Sequence, residues 1–225
     1  MVLQVKKINY SINKIKILDE VSFIVPDNKI CAFIGKNGAG KTTVIKSILN
    51  LLKTYTGNIM INSISSMDSE SRATLSYCPE KEELPNMIIY DFLLEQACYS
   101  GWTKKEGIDQ IQNLCKTFDF PVTKLKLKIN NLSSGLKKVI MLMETFLSKS
   151  KFFILDEPTA NLDFETRMLF YKFVLKKNKL GATFLISTHD LFEIKHYANY
   201  YIKINNGKII LSSKSPPRYL KSVIK

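Results

Sequence analysis

The octapeptide GKNGAGKT at residues 35–42 decides the fold. It follows the apolar run ICAFI at 30–34 and precedes a segment whose apolar residues recur at the spacing of an amphipathic helix. A glycine-rich loop between a buried strand and a helix turns its backbone N–H groups, and the helix N-terminus, toward phosphate groups. Lys41 is placed to reach the outer phosphates of a nucleotide, and the Thr42 hydroxyl to bind Mg²⁺. The stretch therefore predicts a phosphate-binding loop in an α/β fold.

A second motif, FFILDE at residues 152–157, ends in two acids. Four consecutive apolar residues are typical of a buried parallel strand, and open α/β sheets bind ligands at the carboxyl ends of such strands. We expect Asp156 to face the metal and Glu157 to polarise the water that attacks the γ-phosphate. An acidic pair alone is common at strand ends, so the phosphate loop upstream is what favours this interpretation.

Hydrophobic periodicity predicts an alternation of strands and helices around these motifs. The predicted strands are 3–12, 15–18, 21–25, 29–34, 57–62, 73–78, 151–155, 183–187, 200–204 and 208–212, and the predicted helices are 41–52, 90–100, 104–118, 134–147, 164–177 and 191–197. Together with the phosphate loop, this alternation predicts an α/β P-loop NTPase core with a mixed sheet flanked by helices and an N-terminal antiparallel β subdomain. The helical middle third predicts an inserted α-helical subdomain at about 81–150. One domain then covers 1–225, with a short C-terminal tail at about 213–225.

Length and composition limit the kind of protein. A chain of 225 residues, 45% of them hydrophobic, can bury the core of one large domain. Its apolar runs are far shorter than the roughly 20 residues that a membrane-spanning helix needs, and residues 1–18 alternate like a strand rather than a signal peptide. We therefore expect a cytoplasmic protein. Its four cysteines form no CxxC pair and only two histidines are available as co-ligands, so we expect buried, reduced thiols and no zinc site.

The net charge of +13 comes from 33 basic and 20 acidic residues. Such a charge suits nucleic acid, an anionic membrane surface or a nucleotide, and composition does not choose among them. The lysines are spread along the chain without a block of five or more, which favours a solvated basic surface over a dedicated nucleic-acid arm. Binding of nucleic acid is therefore not our first expectation.

Three further motifs complete a recognisable set: LSSG at 132–135, PTANLD at 158–163 and STHD at 187–190. With the phosphate loop and the acid pair, in this order and spacing, they resemble the ATP-binding cassette (ABC) family over nearly the whole chain. The resemblance implies that two cassettes stack head to tail, with each ATP between the phosphate loop of one and the LSGGQ signature of the other. Mg²⁺ is the implied metal.

The resemblance also implies individual roles. Tyr10 matches the family's aromatic platform for adenine, and His189 matches the histidine that contacts the γ-phosphate and holds the attacking water with Glu157. Asp163 matches an acid that reaches across the dimer interface. The residues implied around ATP are Tyr10, Gly35, Lys36, Asn37, Gly38, Ala39, Gly40, Lys41, Thr42, Thr43, Glu80, Ser133, Gly135 and Asp163; Thr42, Glu80 and Asp156 are implied at the metal, and Glu157, His189 and Lys41 in catalysis.

Two motifs depart from the family pattern. LSSGL replaces LSGGQ: Ser133 and Gly135 are kept, but Ser134 stands for a glycine, which is costly where φ is positive and would weaken this half of the site. Leu136 replaces the glutamine, and Val139 replaces a usual arginine. Glu80 stands where many members have glutamine, as in a subset of bacterial exporter cassettes. Glutamate also offers oxygen to Mg²⁺, so we expect this exchange to preserve signalling.

The resemblance implies a function in transport. ATP-driven closure of two cassettes, identical or different, would power separate transmembrane subunits that dock near residues 81–150, with export as the expected direction. The chain would meet the inner face of the membrane only through those subunits. Two alternatives remain: a soluble cassette ATPase that acts on nucleic acid, the ribosome or a protein assembly, and a small-molecule kinase or GTPase. The kinase or GTPase alternative leaves the LSSG and STHD motifs unexplained.

Overall fold

The computed structural model describes residues 3–52, 54–81 and 84–216. Its strands are β1 Leu3–Ile12, β2 Ile15–Val25, β3 Ile30–Ile34, β4 Thr56–Ile61, β5 Ile64–Ser65, β6 Leu75–Cys78, β7 Phe152–Asp156, β8 Thr183–Thr188, β9 Tyr200–Asn205 and β10 Lys208–Ser213. Its α-helices are α1 Lys41–Ile48, α2 Ser69–Ala73, α3 Ile89–Tyr99, α4 Lys104–Thr117, α5 Ser134–Leu147, α6 Phe164–Lys179 and α7 Leu191–Ile194. Two 3₁₀ turns, Val122–Lys126 and Ile129–Asn131, lead into α5. The part of the predicted tail from residue 217 onward lies outside the described residues.

Two sheets build the fold. The larger has the strand order β10-β9-β3-β8-β7-β6 and is parallel except for β10, which runs antiparallel to β9. The smaller has the order β2-β1-β4-β5 and is antiparallel throughout. The predicted fold class, a mixed sheet with flanking helices and an N-terminal antiparallel sheet, is confirmed. Since β3, β8 and β7 are parallel neighbours, the loops that follow them emerge at one edge.

Strand β7 shows why the central strands are continuously apolar. Its residues alternate between two apolar clusters: Phe153 and Leu155 pack in the cluster shared with the helices, and Phe152 and Ile154 pack in the cluster shared with the smaller sheet. Both faces of the strand are thus buried, as in parallel sheets generally. Each fully buried phenylalanine contributes about 1.5–3 kcal/mol relative to an exposed one. This packing holds the acids at the end of β7 in place.

Several predicted boundaries were wrong for local reasons. The predicted strands 15–18 and 21–25 are one strand, β2, which continues through a bulge where Glu20 has a φ of 49° and donates its N–H to Asn9 Oδ1 at 3.0 Å. Helix α1 ends at Ile48, because Asn50 turns left-handed with a φ of 54°. The predicted strand 73–78 begins only at Leu75, since α2 occupies the residues before it.

Helices α3, α4 and α5 pack against one another between β6 and β7 in the chain. Thr103 and Glu106 form a capping box at the start of α4, and the Ser133 hydroxyl caps α5 by accepting from the Leu136 N–H at 3.4 Å. No helix within the described ranges is both long and apolar enough to cross a bilayer. The cysteines differ from expectation at one position, because Cys98 is exposed whereas Cys31, Cys78 and Cys115 are buried.

Candidate active site

The loops after β3, β7 and β8 enclose a cavity of about 560 Å³ at the carboxyl edge of the larger sheet. The loop after β3 continues directly into α1, so the unpaired N–H groups of the first helical turn lie at this edge. The cavity can therefore receive an anionic group. Ten of the predicted site residues line it: Lys36, Asn37, Gly38, Gly40, Lys41, Thr42, Thr43, Glu80, Glu157 and His189.

Gly40 shapes the loop where it enters α1. It is the N-cap residue and has a φ of 105°, a conformation that side chains rarely adopt, and a Cβ there would lie 3.0 Å from Leu18 Cδ2. Lys41 follows, with its side chain only 6% exposed and its ammonium donating to the Gly35 carbonyl at 2.7 Å. The turn thus folds the lysine back over its own loop, where incoming phosphates would meet it.

Asp156 is the most buried acid of the site, with no exposed surface. Its Oδ2 accepts from the Thr42 hydroxyl at 2.7 Å, and its Oδ1 accepts from the Ser187 hydroxyl. One carboxylate therefore ties the end of β7 to the first turn of α1 and to the end of β8. Two of the three residues that the sequence predicted at a metal, Thr42 and Asp156, are thereby brought into direct contact.

Glu157 stands one residue beyond β7 and turns its carboxylate into the cavity. Its backbone has a left-handed φ of 44° and its N–H donates to the Ser187 hydroxyl at 2.9 Å. Its Oε2 lies 3.0 Å from His189 Nδ1, and its Oε1 lies 3.2 Å from Lys41 Nζ. Despite that proximity, Oε1 is buried without a hydrogen-bond partner of good geometry among the described residues. The carboxylate can therefore accept a further hydrogen bond, as from a water.

Ser187 is a site residue that the sequence did not predict. Its hydroxyl donates to Asp156 and accepts from the Glu157 N–H, so it fixes both acids. The signal was present, because Ser187 opens the STHD motif beside His189. Its role was missed because the register that places β8 beside β7, with Ser187 opposite Asp156, is a tertiary contact.

Comparison with known proteins decides the family. The family profile described as ABC transporter matches residues 18–160. The chain belongs to the ABC transporter family. It is 32% identical to an ABC transporter ATP-binding protein of Mycoplasma pneumoniae over 206 residues, which cover 90% of this chain but 62% of that protein. It is also 27% identical to a zinc uptake system ATP-binding protein, ZurA, of Listeria innocua, covering 91% of this chain and 82% of ZurA.

A solved structure of an ATP-binding subunit of an ABC transporter superposes on 95% of this chain and 90% of its own, with a TM-score of 0.87 and 27% sequence identity. The shared fold and the family profile make this chain an ATP-binding ATPase domain, here called the cassette. The chain spans less than two thirds of the Mycoplasma pneumoniae relative.

The cassette offers oxygen ligands of the kind that Mg²⁺ prefers. Thr42, Asp156 and Glu80 supply a hydroxyl and two carboxylates, and Thr42 and Glu80 line the same cavity. Within the described part of the chain, no group of three or more His, Cys, Asp or Glu side chains could hold a metal ion by itself. The donor set therefore fits a magnesium ion that also takes ligands from nucleotide phosphates and water, the usual arrangement for this metal.

Tyr10 does not line the cavity, so the adenine platform expected of it stays a prediction. It is partly buried against the apolar cluster of the smaller sheet and pairs with Leu18 on β2. The bulged pairing of β1 and β2 instead brings Ile12 and Ile17 to the cavity wall. Ile12 is 49% exposed and so has an apolar surface available for contact.

The residues that are expected to contact the nucleotide of a second cassette lie elsewhere on this one. Ser133, Gly135 and Asp163 do not line the cavity of their own chain. Ser134 is the first residue of α5 and is not among the residues with left-handed φ, so the strain expected from replacing a glycine is absent. Gly135 is the glycine that is needed, because a Cβ there would lie 2.8 Å from the Asn161 carbonyl oxygen.

Proposed function

We propose that the cassette is the ATP-binding and ATP-hydrolysing subunit of an ABC transporter, which it powers by closing against a second cassette on ATP. The observation that carries this proposal is the placement of Glu157 between Lys41 and His189 beside the phosphate loop. A carboxylate in this position can polarise a water for attack on a γ-phosphate. The family membership supplies the nucleotide and the transport context.

Each group of the cavity has a defined task in this proposal. The loop amides and the α1 N-terminus bind the phosphates, and Lys41 neutralises the outermost phosphate. Binding draws Lys41 toward the phosphate and away from Glu157, whose carboxylate is then available to a water. His189 holds that water and orients Glu157. Mg²⁺, held by Thr42, Asp156 and Glu80 when bound, neutralises charge that develops on the phosphates. A general base of this kind contributes roughly 10²–10⁴ in rate.

The second cassette would complete the site. Ser133 and Gly135 offer a hydroxyl and a backbone N–H at the N-terminus of α5, a combination that suits a γ-phosphate, yet both lie outside their own cavity. Asp163 likewise lies outside and is available to a partner. The helical conformation of Ser134 removes one objection to tight closure, whereas Leu136 still lacks the amide of glutamine. The proposal holds both for a second cassette that is identical to this chain and for one that differs from it.

Transmembrane subunits on separate chains are the proposed membrane partners, and the cassette would meet the inner face of the membrane through them as a peripheral cytoplasmic protein. The names of relatives support transport, and one relative is named for zinc uptake. Because these names do not decide the direction of transport for this chain, export stays a prediction, and it rests on Glu80 alone. A basic surface, with a net charge of +13, would favour docking beside anionic lipids by about 1 kcal/mol for each suitably placed lysine or arginine.

The test is capture of the partner from membranes. Tagged Glu157→Gln cassette, expressed in cells that contain its native partners, is loaded with ATP, extracted in mild detergent and recovered for mass spectrometry. We expect a polytopic membrane protein to be recovered with it. The matched control is Glu157→Gln combined with Lys41→Ala, which cannot hold the nucleotide and should release the ATP-dependent partners. Recovery of only soluble proteins or nucleic acid would overturn transport and favour the soluble cassette ATPase.

A further inference from the structure

A buried lysine outside the catalytic cavity has no role in the chemistry described above. Lys138 lies in the second turn of α5 and is 3% exposed. Its ammonium donates to the Pro79 carbonyl at 2.9 Å and to the Glu80 carbonyl at 3.2 Å. Within the described part of the chain, Lys41 is the other lysine that is buried to this degree, and Lys41 belongs to the phosphate loop.

Burial of an ammonium is unfavourable unless its hydrogen bonds are satisfied. An apolar side chain of similar length would fill this position in α5 without that cost, because the neighbouring residues Val139, Ile140 and Met141 are buried and apolar. The two carbonyls that Lys138 contacts belong to one short segment, immediately after β6. Packing alone would not require a lysine at this position. Its two hydrogen bonds fix the backbone of the segment at residues 79 and 80.

The fixed segment carries a cavity residue. Glu80 lines the same cavity as Thr42 and Glu157. Its backbone carbonyl accepts a hydrogen bond from Lys138, which does not line the cavity. The carboxylate faces a neighbouring lysine, Lys81, at 4.0 Å, which is a weak, exposed pairing. The position of Glu80 in the cavity thus depends on its backbone, and the backbone contact comes from α5.

Helix α5 also carries the signature. Gly135 lies three residues before Lys138, so the two are neighbours on one face of the helix, and the Ser133 cap begins the same helix. A force applied to the start of α5 is transmitted along a rigid helix within about one turn, which is roughly 5 Å, to the Lys138 ammonium. From there, two hydrogen bonds reach the segment at Glu80.

We propose that Lys138 is a positioning residue that couples the signature end of α5 to Glu80 in the catalytic cavity of the same chain. The inference rests on the proposed function, since a second nucleotide at the signature supplies the force. Engagement of the signature shifts α5, the ammonium carries the 79–80 backbone with it, and Glu80 moves relative to Thr42. One cassette thereby senses the nucleotide of the other site.

The test compares Lys138→Met with Lys137→Met. Both remove one lysine charge from adjacent positions of α5, but the Lys137 side chain makes no hydrogen bond or ion pair with any residue that the structure describes. The first readout is amide hydrogen exchange of the nucleotide-free protein. We expect exchange in the segment 75–81 to become at least about 10-fold faster in Lys138→Met, because two hydrogen bonds from a charged group are lost, and to be unchanged in Lys137→Met.

The second readout separates coupling from structure. Lys138→Met is expected to lower kcat for ATP about 10-fold while the dissociation constant for ATP, measured without Mg²⁺, stays within about twofold. Lys138→Gln, which keeps a donor on a shorter side chain, should give an intermediate kcat and guards against a folding failure of the methionine variant. Unchanged exchange in 75–81, or a lower melting temperature with unaltered kcat in the folded protein, would overturn the coupling role. An unsubstituted cassette without ATPase activity would instead count against the proposed function, and the exchange readout would still decide whether Lys138 fixes the segment.

Discussion

Glu157 is the residue to which the proposed function assigns the chemistry, and we expect its environment to change when nucleotide binds. In the cassette alone, Lys41 Nζ lies 3.2 Å from Oε1 of a carboxylate that is 11% exposed. A γ-phosphate carries more negative charge than the carboxylate and competes for the same ammonium. We therefore expect the lysine to restrain the proposed general base before ATP arrives, and the phosphate to release it. His189, 61% exposed, remains accessible to the nucleotide from the solvent side.

The apolar part of the cavity wall predicts weak discrimination among the bases of different nucleotides. Ile12 and Ile17 give an apolar wall without a ring for stacking, and stacking of a base on an aromatic side chain contributes about 1–3 kcal/mol. We expect Ile12→Tyr to lower the KM for ATP by about 5- to 150-fold, the equivalent of that energy. The unsubstituted cassette should hydrolyse ATP, GTP and CTP with similar kcat/KM.

The matched control for that prediction is Tyr10→Leu, in the same strand but packed away from the cavity. Its KM for ATP should stay within about twofold of the unsubstituted value, because the side chain does not line the cavity. A large rise in KM on Tyr10→Leu, with no change on Ile12→Tyr, would restore Tyr10 as the adenine platform. Steady-state kinetics with the three nucleotides provides the measurement.

At the scale of the elements, the sequence predicted what periodicity and local motifs encode. Helix α5 was predicted at 134–147 and is found at Ser134–Leu147, because its apolar stripe and its Ser133 cap are local signals. Strand β2 was divided in two because the bulge at Glu20 interrupts the alternation, which periodicity cannot distinguish from a turn. The boundaries at β2 and at the end of α1 failed where a single residue takes a left-handed φ, whereas the start of β6 is displaced by α2.

Contacts between distant elements could not be predicted in this way. The phosphate loop and the acid pair were predicted to share a site because open α/β sheets bind ligands at the carboxyl ends of their strands, and His189 was added by the family resemblance. The hydroxyl of Ser187 between two acids and the ammonium of Lys138 on the 79–80 carbonyls depend on register and packing that no local pattern encodes. The placement of Tyr10 outside the cavity lining has the same origin, since a bulge decides which β1 residue faces the cavity.

Asp163 allows a prediction about one helix. It caps α6 by accepting from the Thr166 N–H at 2.7 Å, and this hydrogen bond lowers the pKa of its carboxyl. Asp163→Ala is expected to reduce the free energy of unfolding by about 1 kcal/mol at pH 7, whereas Asp163→Asn keeps a capping oxygen and should lose much less. Urea unfolding of the three proteins measures both values.

The same cap has a defined pH dependence. Because the pKa of Asp163 is lower in the folded protein, the folded state favours the charged carboxylate, and this stabilisation is present above the ordinary aspartate range. It is lost as the pH falls through the folded pKa. The stability difference between unsubstituted protein and Asp163→Ala should therefore shrink in acid, and a difference that grows as the pH falls would contradict the cap.

At the scale of the whole molecule, the cassette separates two sets of groups that the proposed function assigns to nucleotide. One set surrounds its cavity at the edge of the larger sheet, and the other, at the starts of α5 and α6, lies outside that cavity. A second copy in head-to-tail orientation would bring each set against the other. This separation supports the proposal that closure needs two cassettes, and it predicts that ATP controls association.

Association can be measured directly. Glu157→Gln at saturating ATP is expected to elute at twice the 25.8 kDa chain mass, and to return to the monomer when ATP is removed. The double variant Glu157→Gln with Lys41→Ala, which lacks the phosphate-binding ammonium, should remain monomeric. Size-exclusion chromatography with light scattering distinguishes the two states. A monomer at saturating ATP would exclude a homodimer and transfer the proposal to a mixed pair.

The role of Glu157 in activating water is tested most directly by measuring phosphate release from ATP by the purified cassette and by its Glu157→Gln variant. We predict that the substitution lowers kcat by about 10²–10⁴, the contribution of a general base, while the dissociation constant for ATP stays within about threefold because Glu157 does not bind the phosphates in the ground state. Equal rates of phosphate release by the two proteins, with intact ATP binding in both, would contradict the assignment of Glu157 as the residue that activates water.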